Sequence, residues 1–362
     1  MVRDIYLHLG THKTATTSIQ NFLSQNHEPL KAAGILYPKS VMSHNNFAFG
    51  AHHILSSAIY QGRPYEELFT ALGDELGQAG NIDTLILSSE TFGLVPAKEL
   101  VETFESASAL GHCRLNLIQY IRPQAGWTMS MYLQRKSSLK LNNSFSEYYP
   151  TLVNTLETRR LNYKSMCETY LESGVNYDLR LFAKPFIQGD ICADFLAAIG
   201  HLELYADLPK YPSVNKSVDR NIEAFFSQLS QLHRLHHSDD IDPDNFMRFF
   251  GISRQLVRGI GGRYEAHQPY NGLTQVILDD IYLRYSEDNQ ALFDGLGMRD
   301  ARTKLFTQRQ TAKPITARHF SEVRPKFRRQ ILTGARDAVS RSNHKYAPSF
   351  SNCVEMMCES YL

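Results

Sequence analysis

Four short apolar runs, IYLHL (5–9), TLILSS (84–89), LNLIQYI (115–121) and DLRLFA (178–183), constrain this chain more than any other feature. Each has the length and side-chain type of a buried strand, and the segments between them are too long for hairpin turns. Helical period fills those segments. SIQNFL places Ile19, Phe22 and Leu23 at i, i+3 and i+4, and ADFLAAIG closes a helical run at Gly200, a common C-terminal residue. Strands that alternate with helices in this way are joined by crossovers and pair in parallel, so the expectation is an α/β fold whose sheet is covered on both faces. After residue 220 the strand signal fades. NIEAFFSQLSQLHRL and LTQVILDDIYLRYSEDNQALF read as helices, which gives a helical C-terminal region.

Composition narrows the class further. At 43% hydrophobic and 21% charged, the 362 residues can bury a sizeable core, and no internal repeat or low-complexity segment is present. A formal net charge of +1 gives no overall bias toward nucleic acid or membrane, so no nucleic-acid partner is expected and local patches decide. The five cysteines, Cys113, Cys167, Cys192, Cys353 and Cys358, are odd in number and lack paired spacing, against both a disulfide framework and a zinc site. With no signal-like start and no long apolar run, a cytoplasmic location is expected. From residue 299 the balance shifts: positions 299–345 hold 13 Lys/Arg against 3 Asp/Glu. The expected organisation is therefore a domain over 1–298 followed by a basic C-terminal extension over 299–362.

The segment HLGTHKTATTSIQ joins the first strand to the first helix. A loop in that place lies at the carboxyl edge of a parallel sheet, where the amides of a helix N-terminus converge and favour an anion. Gly10 suits a tight turn, Lys13 supplies a point charge, and Thr14, Thr16, Thr17 and Ser18 add hydroxyls. Capping needs one hydroxyl; four beside a lysine point to a phosphate-like group rather than to a capped turn alone. The Walker pattern G-x-x-x-x-G-K-[ST] is absent, because Lys13 follows Gly10 by three residues with no glycine before it. The second and third strands end in LSSE and YIRP, without the aspartate that usually holds Mg²⁺.

With these residues in view, HLGTHKTATTSIQ resembles the 5′-phosphosulfate loop of sulfotransferases that use 3′-phosphoadenosine 5′-phosphosulfate (PAPS). LIQYIRPQAGWTMSMYLQ resembles their second signature, a strand-end arginine followed eight residues later by a serine, here Arg122 and Ser130. Weaker similarity runs through DICADFLAAIG and SVNKSVDRN to about residue 295, and the style is closest to bacterial, carbohydrate-type members. One departure is Ala15, where the family usually has glycine; it costs little if φ is negative there. The resemblance implies a P-loop-like sheet flanked by helices and transfer of a sulfuryl group from PAPS to an acceptor hydroxyl on a carbohydrate or glycolipid. Adenosine 3′,5′-bisphosphate is the implied product, and no metal is needed. It places Gly10, Thr11, His12, Lys13, Thr14, Ala15, Thr16, Thr17 and Ser18 around the 5′-phosphate, with Lys13 also on the bridging oxygen as charge develops there. Arg122 and Ser130 take the 3′-phosphate, and Asn215 and Ser217, in NKS, belong to a loop that closes over the nucleotide or to an ordinary turn.

Transfer to a hydroxyl also needs a base. Glu90, just after the second candidate strand, is the first choice, and His44, His52 and His53 in SHNNFAFGAHHI form the alternative cluster. Trp127 and Tyr132 could flank an adenine or simply fill the core. Acceptor identity is expected to lie on loops such as 40–80 and 136–160. Two rival readings stay open: a P-loop kinase using ATP and Mg²⁺, and an inactive nucleotide-binding or scaffold protein whose basic tail is the working part. In that tail, SEVRPKFRRQILTGARDAV (321–339) reads as a basic amphipathic helix capped by Ser321, with Val323, Phe327, Ile331, Ala335 and Val339 on one stripe and Gly334 as a weak point. Either its stripe packs on the catalytic domain and its charges are solvated, or the segment docks on an anionic surface, the cytoplasmic leaflet or an acidic glycan acceptor.

Overall fold

The computed structural model describes residues 2–43, 50–138, 141, 143–154, 160–183, 190–210, 218–237, 250–261, 263–264, 268–299, 301–315 and 319–362. In chain order the first elements are β1 (Asp4–Gly10), α1 (Thr16–Gln25), α2 (His27–Ala32), β2 (Ile35–Leu36), α3 (His53–Tyr60), α4 (Glu66–Ala79) and β3 (Thr84–Ser89). There follow α5 (Ala97–Ser106), β4 (Arg114–Ile121), α6 (Gln124–Ser137), α7 (Phe145–Asn154), α8 (Tyr163–Glu172), β5 (Asn176–Leu181) and α9 (Ile191–Ala198). Six more helices follow: α10 (Arg220–His236), α11 (Phe250–Gly261), α12 (Gln275–Gly295), α13 (Lys304–Thr307), α14 (Pro325–Ser340) and α15 (Ala347–Tyr361). The chain forms two compact units. One comprises Met1–Gln124, Leu156–Val214 and Tyr282–Gln308; the other comprises Ala125–Thr155, Asn215–Ile281 and Arg309–Leu362. The change in charge after residue 298 coincides with no border of either unit.

The first unit is built on a five-stranded, all-parallel sheet in the order β2-β3-β1-β4-β5. β1 is central, pairing with β3 from Asp4 opposite Thr84 and with β4 as far as Gly10 opposite Tyr120. Alternation along β1 divides the two cores: Ile5, Leu7 and Leu9 pack with Leu85, Leu87, Leu115 and Leu117. On the other face Ile86, Ile118 and Tyr120 meet Ile19, Phe22 and Leu23 of α1 and Phe195 of α9. Each fully buried Leu or Ile contributes about 1.5–3 kcal/mol, so the α1 periodicity is enforced by the sheet rather than by helix propensity. The chain leaves β1 for one side of the sheet, and the β3-to-β4 connection passes to the other. The carboxyl edge at β1 is thus a switch point, flanked by the ends of β3 and β4.

The second unit has a helical core in which α10, α11, α14 and α15 bury Phe225, Leu229, Leu256, Ile260, Ile331, Leu332, Phe350 and Met357. The basic helix α14 spends its apolar stripe here: Ile331, Leu332, Ala335 and Val339 are buried. Two sequence expectations about it change. Its first residue is Pro325 and its cap is Arg324, while Ser321 lies in the preceding 3₁₀ turn and caps nothing. Gly334 is a contact point rather than a weakness, since a Cβ there would lie 2.6 Å from the carbonyl oxygen of Gly259 on α11, and one at Gly259 would lie 2.5 Å from that of Gly334. Two glycines let the helix backbones touch. Among the described residues no helix is long and apolar enough to cross a membrane.

Candidate functional site

Three strand ends of the first unit converge. β1 runs into the loop Thr11–Ala15, β3 ends at Ser89 and is followed by Glu90, and β4 ends at Ile121 and is followed by Arg122. Two loop residues with side chains adopt left-handed backbone, Lys13 at φ 73° and Ala15 at φ 64°. The condition under which Ala15 would cost little, a negative φ, is not met, and a Cβ in that region costs about 1–2 kcal/mol. Backbone that alternates in hand turns successive N–H groups into one concavity, the geometry of an anion nest. Ala15 also stands at the N-cap of α1 and makes no side-chain cap; the Ser18 amide donates to the Ala15 carbonyl at 2.9 Å, while the Thr16 and Thr17 amides have no side-chain capping acceptor among the described residues. The left-handed backbone at Lys13 and Ala15 thus stands directly before the first turn of α1.

Gly10 serves the site differently from expectation. Its φ lies outside the left-handed region, but a Cβ on it would stand 2.6 Å from Glu90 Cγ and 2.7 Å from Thr16 Cγ2. Its missing side chain is therefore the space that Glu90 occupies. The Thr16 hydroxyl donates to Glu90 Oε1, and Gln20 Nε2, one turn further along α1, donates to Oε2 at 3.2 Å. His53 Nε2, from α3, lies 3.7 Å from Oε2. Burial pushes the Glu90 carboxyl up, yet His12, His53 and the Thr16 hydroxyl outweigh it and hold the group at about 2. His12 is itself drawn down to about 4 by burial, so its attraction acts only in acid, whereas the Thr16 hydroxyl acts at any pH. Glu90 is an ionised, doubly hydrogen-bonded carboxylate.

The remaining loop residues divide by role. Thr14 is buried and donates to the Thr11 carbonyl at 2.6 Å, and the Thr11 hydroxyl is buried without a hydrogen-bond partner among the described residues. Thr17 is exposed and Ser18 half-buried. Lys13 is half-buried; burial pulls its ammonium down to about 8 despite the attraction of Glu90. Arg122 is half-buried, donates from Nη1 to the Lys13 carbonyl at 3.3 Å, and lies 5.9 Å from the centre of the Phe182 ring. Its own carbonyl accepts from the Tyr163 hydroxyl at 2.5 Å, which fixes the strand end. Burial lowers the Arg122 pKa, but an arginine keeps its charge. The site thus brings Lys13, Glu90, His53 and Arg122 to one edge.

Other expected residues fall elsewhere. Ser130 is half-buried on α6 and belongs to the second unit, whereas Arg122 belongs to the first. His44, Asn215 and Ser217 lie outside the described residues. His52 is structural: fully buried, it accepts the Ser88 amide on Nδ1 at 2.9 Å and donates from Nε2 to the Pro38 carbonyl at 2.9 Å. Trp127 is fully buried, and Tyr132 donates to Glu223 at 2.7 Å among Phe145, Tyr148 and Tyr270, which makes it a core residue.

Sequence reading missed the polar layer under the loop. His8 Nδ1 meets Ser88 Oγ at 2.8 Å, and Gln20 reaches both Ser88 and Glu90. Ser89 Oγ receives His53 Nδ1 at 2.6 Å and the Thr91 amide at 3.1 Å, and touches Ser56 Oγ at 2.7 Å. Two serines closing an otherwise apolar strand, TLILSS, were the available signal. Comparison with known proteins adds nothing to this geometry: no family model, no curated protein and no solved structure matches the chain.

Proposed function

We propose that this chain transfers a sulfuryl group from PAPS to an acceptor hydroxyl on a carbohydrate or glycolipid. The observation that carries the reading is the loop itself: left-handed backbone at Lys13 and Ala15, against an uncapped helix N-terminus, with the Arg122 guanidinium bound to the loop backbone. A loop that follows the central strand of a parallel sheet and enters a helix is how a P-loop-like fold presents amides to phosphate. The donor set fits a phosphosulfate. Lys13, the α1 amides and the Thr11 hydroxyl, which has no hydrogen-bond partner among the described residues, would hold the 5′ side, and Arg122 the 3′-phosphate. PAPS supplies the activated sulfuryl group; the chain supplies donors where charge gathers on the leaving phosphate and a base beside them, from Glu90 and His53. The exposed Arg324, Lys326 and Arg329 of α14 and its cap would give an electrostatic contact to an anionic leaflet, resting on charge alone because the apolar stripe is used inside the unit.

One observation favours a second reading. The Thr16 hydroxyl bound to an acid on the neighbouring strand end is the pair that flanks Mg²⁺ in nucleoside-triphosphate enzymes, which would make the chain a kinase. Thermal unfolding separates the two. Adenosine 3′,5′-bisphosphate without divalent cation should raise Tm by several degrees, in proportion to the logarithm of its concentration, with little response to ATP and Mg²⁺. A shift given only by ATP with Mg²⁺ would establish the kinase, and a response to neither would leave a protein that does not use this loop for nucleotide.

A further inference from the structure

We propose that His53, and not Glu90, takes the proton of the acceptor hydroxyl, with Ser89 fixing the tautomer and Glu90 compensating the imidazolium that forms. The assignment rests on the sulfuryl-transfer reading above. Its first ground is occupancy. Glu90 is almost enclosed, its side chain 11% exposed, and both carboxylate oxygens already accept hydrogen bonds, from Thr16 and Gln20. A carboxylate so held is a poor acceptor for another proton. The His53 side chain is 31% exposed, and its Nε2 lies 3.7 Å from Glu90, too far for a hydrogen bond yet near enough for a strong attraction once the ring is charged.

The second ground is where each proton in the adjoining chain can go. The Ser56 hydroxyl donates to the His52 carbonyl at 3.1 Å, which can only accept. At 2.7 Å the Ser89 hydroxyl then donates to Ser56, because Ser56 has no second proton. Ser89 Oγ also accepts the Thr91 amide, so what it offers to His53 Nδ1 at 2.6 Å is a lone pair. The proton of neutral His53 therefore sits on Nδ1, and the Nε2 lone pair is left free beside the loop. The step balances: as the acceptor oxygen forms its bond to sulfur, the O–H pair stays on that oxygen and the proton moves to Nε2. The sulfur–oxygen bond to the 5′-phosphate breaks with its electron pair going to the phosphate, giving the sulfate ester, adenosine 3′,5′-bisphosphate and imidazolium.

Two measurements on the full chain decide it. Imidazole ¹⁵N shifts, with His53 assigned by its loss in His53→Gln, should report the Nδ1–H tautomer in neutral solution and its conversion in Ser89→Ala; an Nε2–H tautomer in the unsubstituted chain overturns the proposal. Sulfuryl transfer from PAPS to a panel of simple glycosides should fall by roughly 10²- to 10⁴-fold in His53→Ala, with affinity for adenosine 3′,5′-bisphosphate unchanged and part of the rate restored by added imidazole. If His53→Ala transfers at the original rate while Glu90→Gln does not, Glu90 is the base and the proposal fails, though the sulfuryl-transfer reading survives. If the unsubstituted chain has no affinity for adenosine 3′,5′-bisphosphate, that reading falls and this one with it.

Discussion

The Thr16 hydroxyl donates to the Glu90 carboxylate across the gap between the first turn of α1 and the end of β3. One contact thereby locks the loop to the neighbouring strand, and Gly10 is what makes it possible, since any side chain there would overlap both partners. Gly10→Ala should cost about 1–3 kcal/mol, the range for overpacking a filled space, and should also weaken anion binding because Glu90 and Thr16 must move. Urea unfolding together with a bisphosphate titration checks this. An unchanged midpoint with unchanged affinity would mean that the two side chains are not held there.

Ala15 occupies a left-handed conformation that glycine adopts freely. Ala15→Gly should therefore stabilise the chain by up to about 1 kcal/mol, the relief of strain being partly offset by the greater entropy of the unfolded state. Ala15→Val should destabilise it by more than that, because a β-branched side chain fits this region worst. Thermal unfolding of the pair gives the sign; equal Tm values for both would contradict the positive φ.

Lys13 is drawn from 10.5 to about 8 by burial. Between those values the unfolded chain holds more protons than the folded one, so this lysine makes stability rise with pH from about 8 to 10.5. An anion in the loop reverses the shift. Binding of adenosine 3′,5′-bisphosphate at about pH 9 should draw a proton from the buffer, and affinity should fall as pH climbs above 8. Calorimetry in buffers of different ionisation heat measures the uptake. Heat that is independent of the buffer, or uptake that persists in Lys13→Met, would remove Lys13 from the anion site.

Gly334 and Gly259 hold α14 and α11 in backbone contact. Helix propensity alone favours Gly334→Ala by about 1 kcal/mol, but the added methyl meets the Gly259 carbonyl oxygen at 2.6 Å, and the net effect should be a loss of roughly 1–3 kcal/mol. A rise in Tm would show that the helices have room to separate.

What could be read from sequence follows the range of the interactions involved. β1, β3 and β4 declare themselves because both faces of each are buried, which leaves continuous apolar runs, and the first helix declares itself through Ile19, Phe22 and Leu23. β2 has only two residues, Ile35 and Leu36, too few to show any period. Within the site, Lys13 and Arg122 are legible because charge at a strand end is local information. The orientation of Glu90 is not: it depends on Thr16 and Gln20, more than 60 residues away. His53 could be named as one of three histidines but not separated from His52, since the difference lies in their partners on β3: His52 takes the main-chain amide of Ser88, whereas His53 meets the side chain of Ser89. Gly10 and Gly334 were read from their conformational freedom, whereas both are required by what packs against them.

Sulfuryl transfer is tested by following ³⁵S from labelled PAPS to glycoside and glycolipid hydroxyls with the full chain and chelator present. Labelled sulfate ester should form in equal amount to adenosine 3′,5′-bisphosphate, and the rate should be lower by roughly 10²- to 10³-fold in Lys13→Ala, the range for removing one preorganised donor from a developing charge. Label that stays on the nucleotide with every acceptor, from a chain that instead transfers phosphate from ATP when Mg²⁺ is supplied, would contradict sulfuryl transfer.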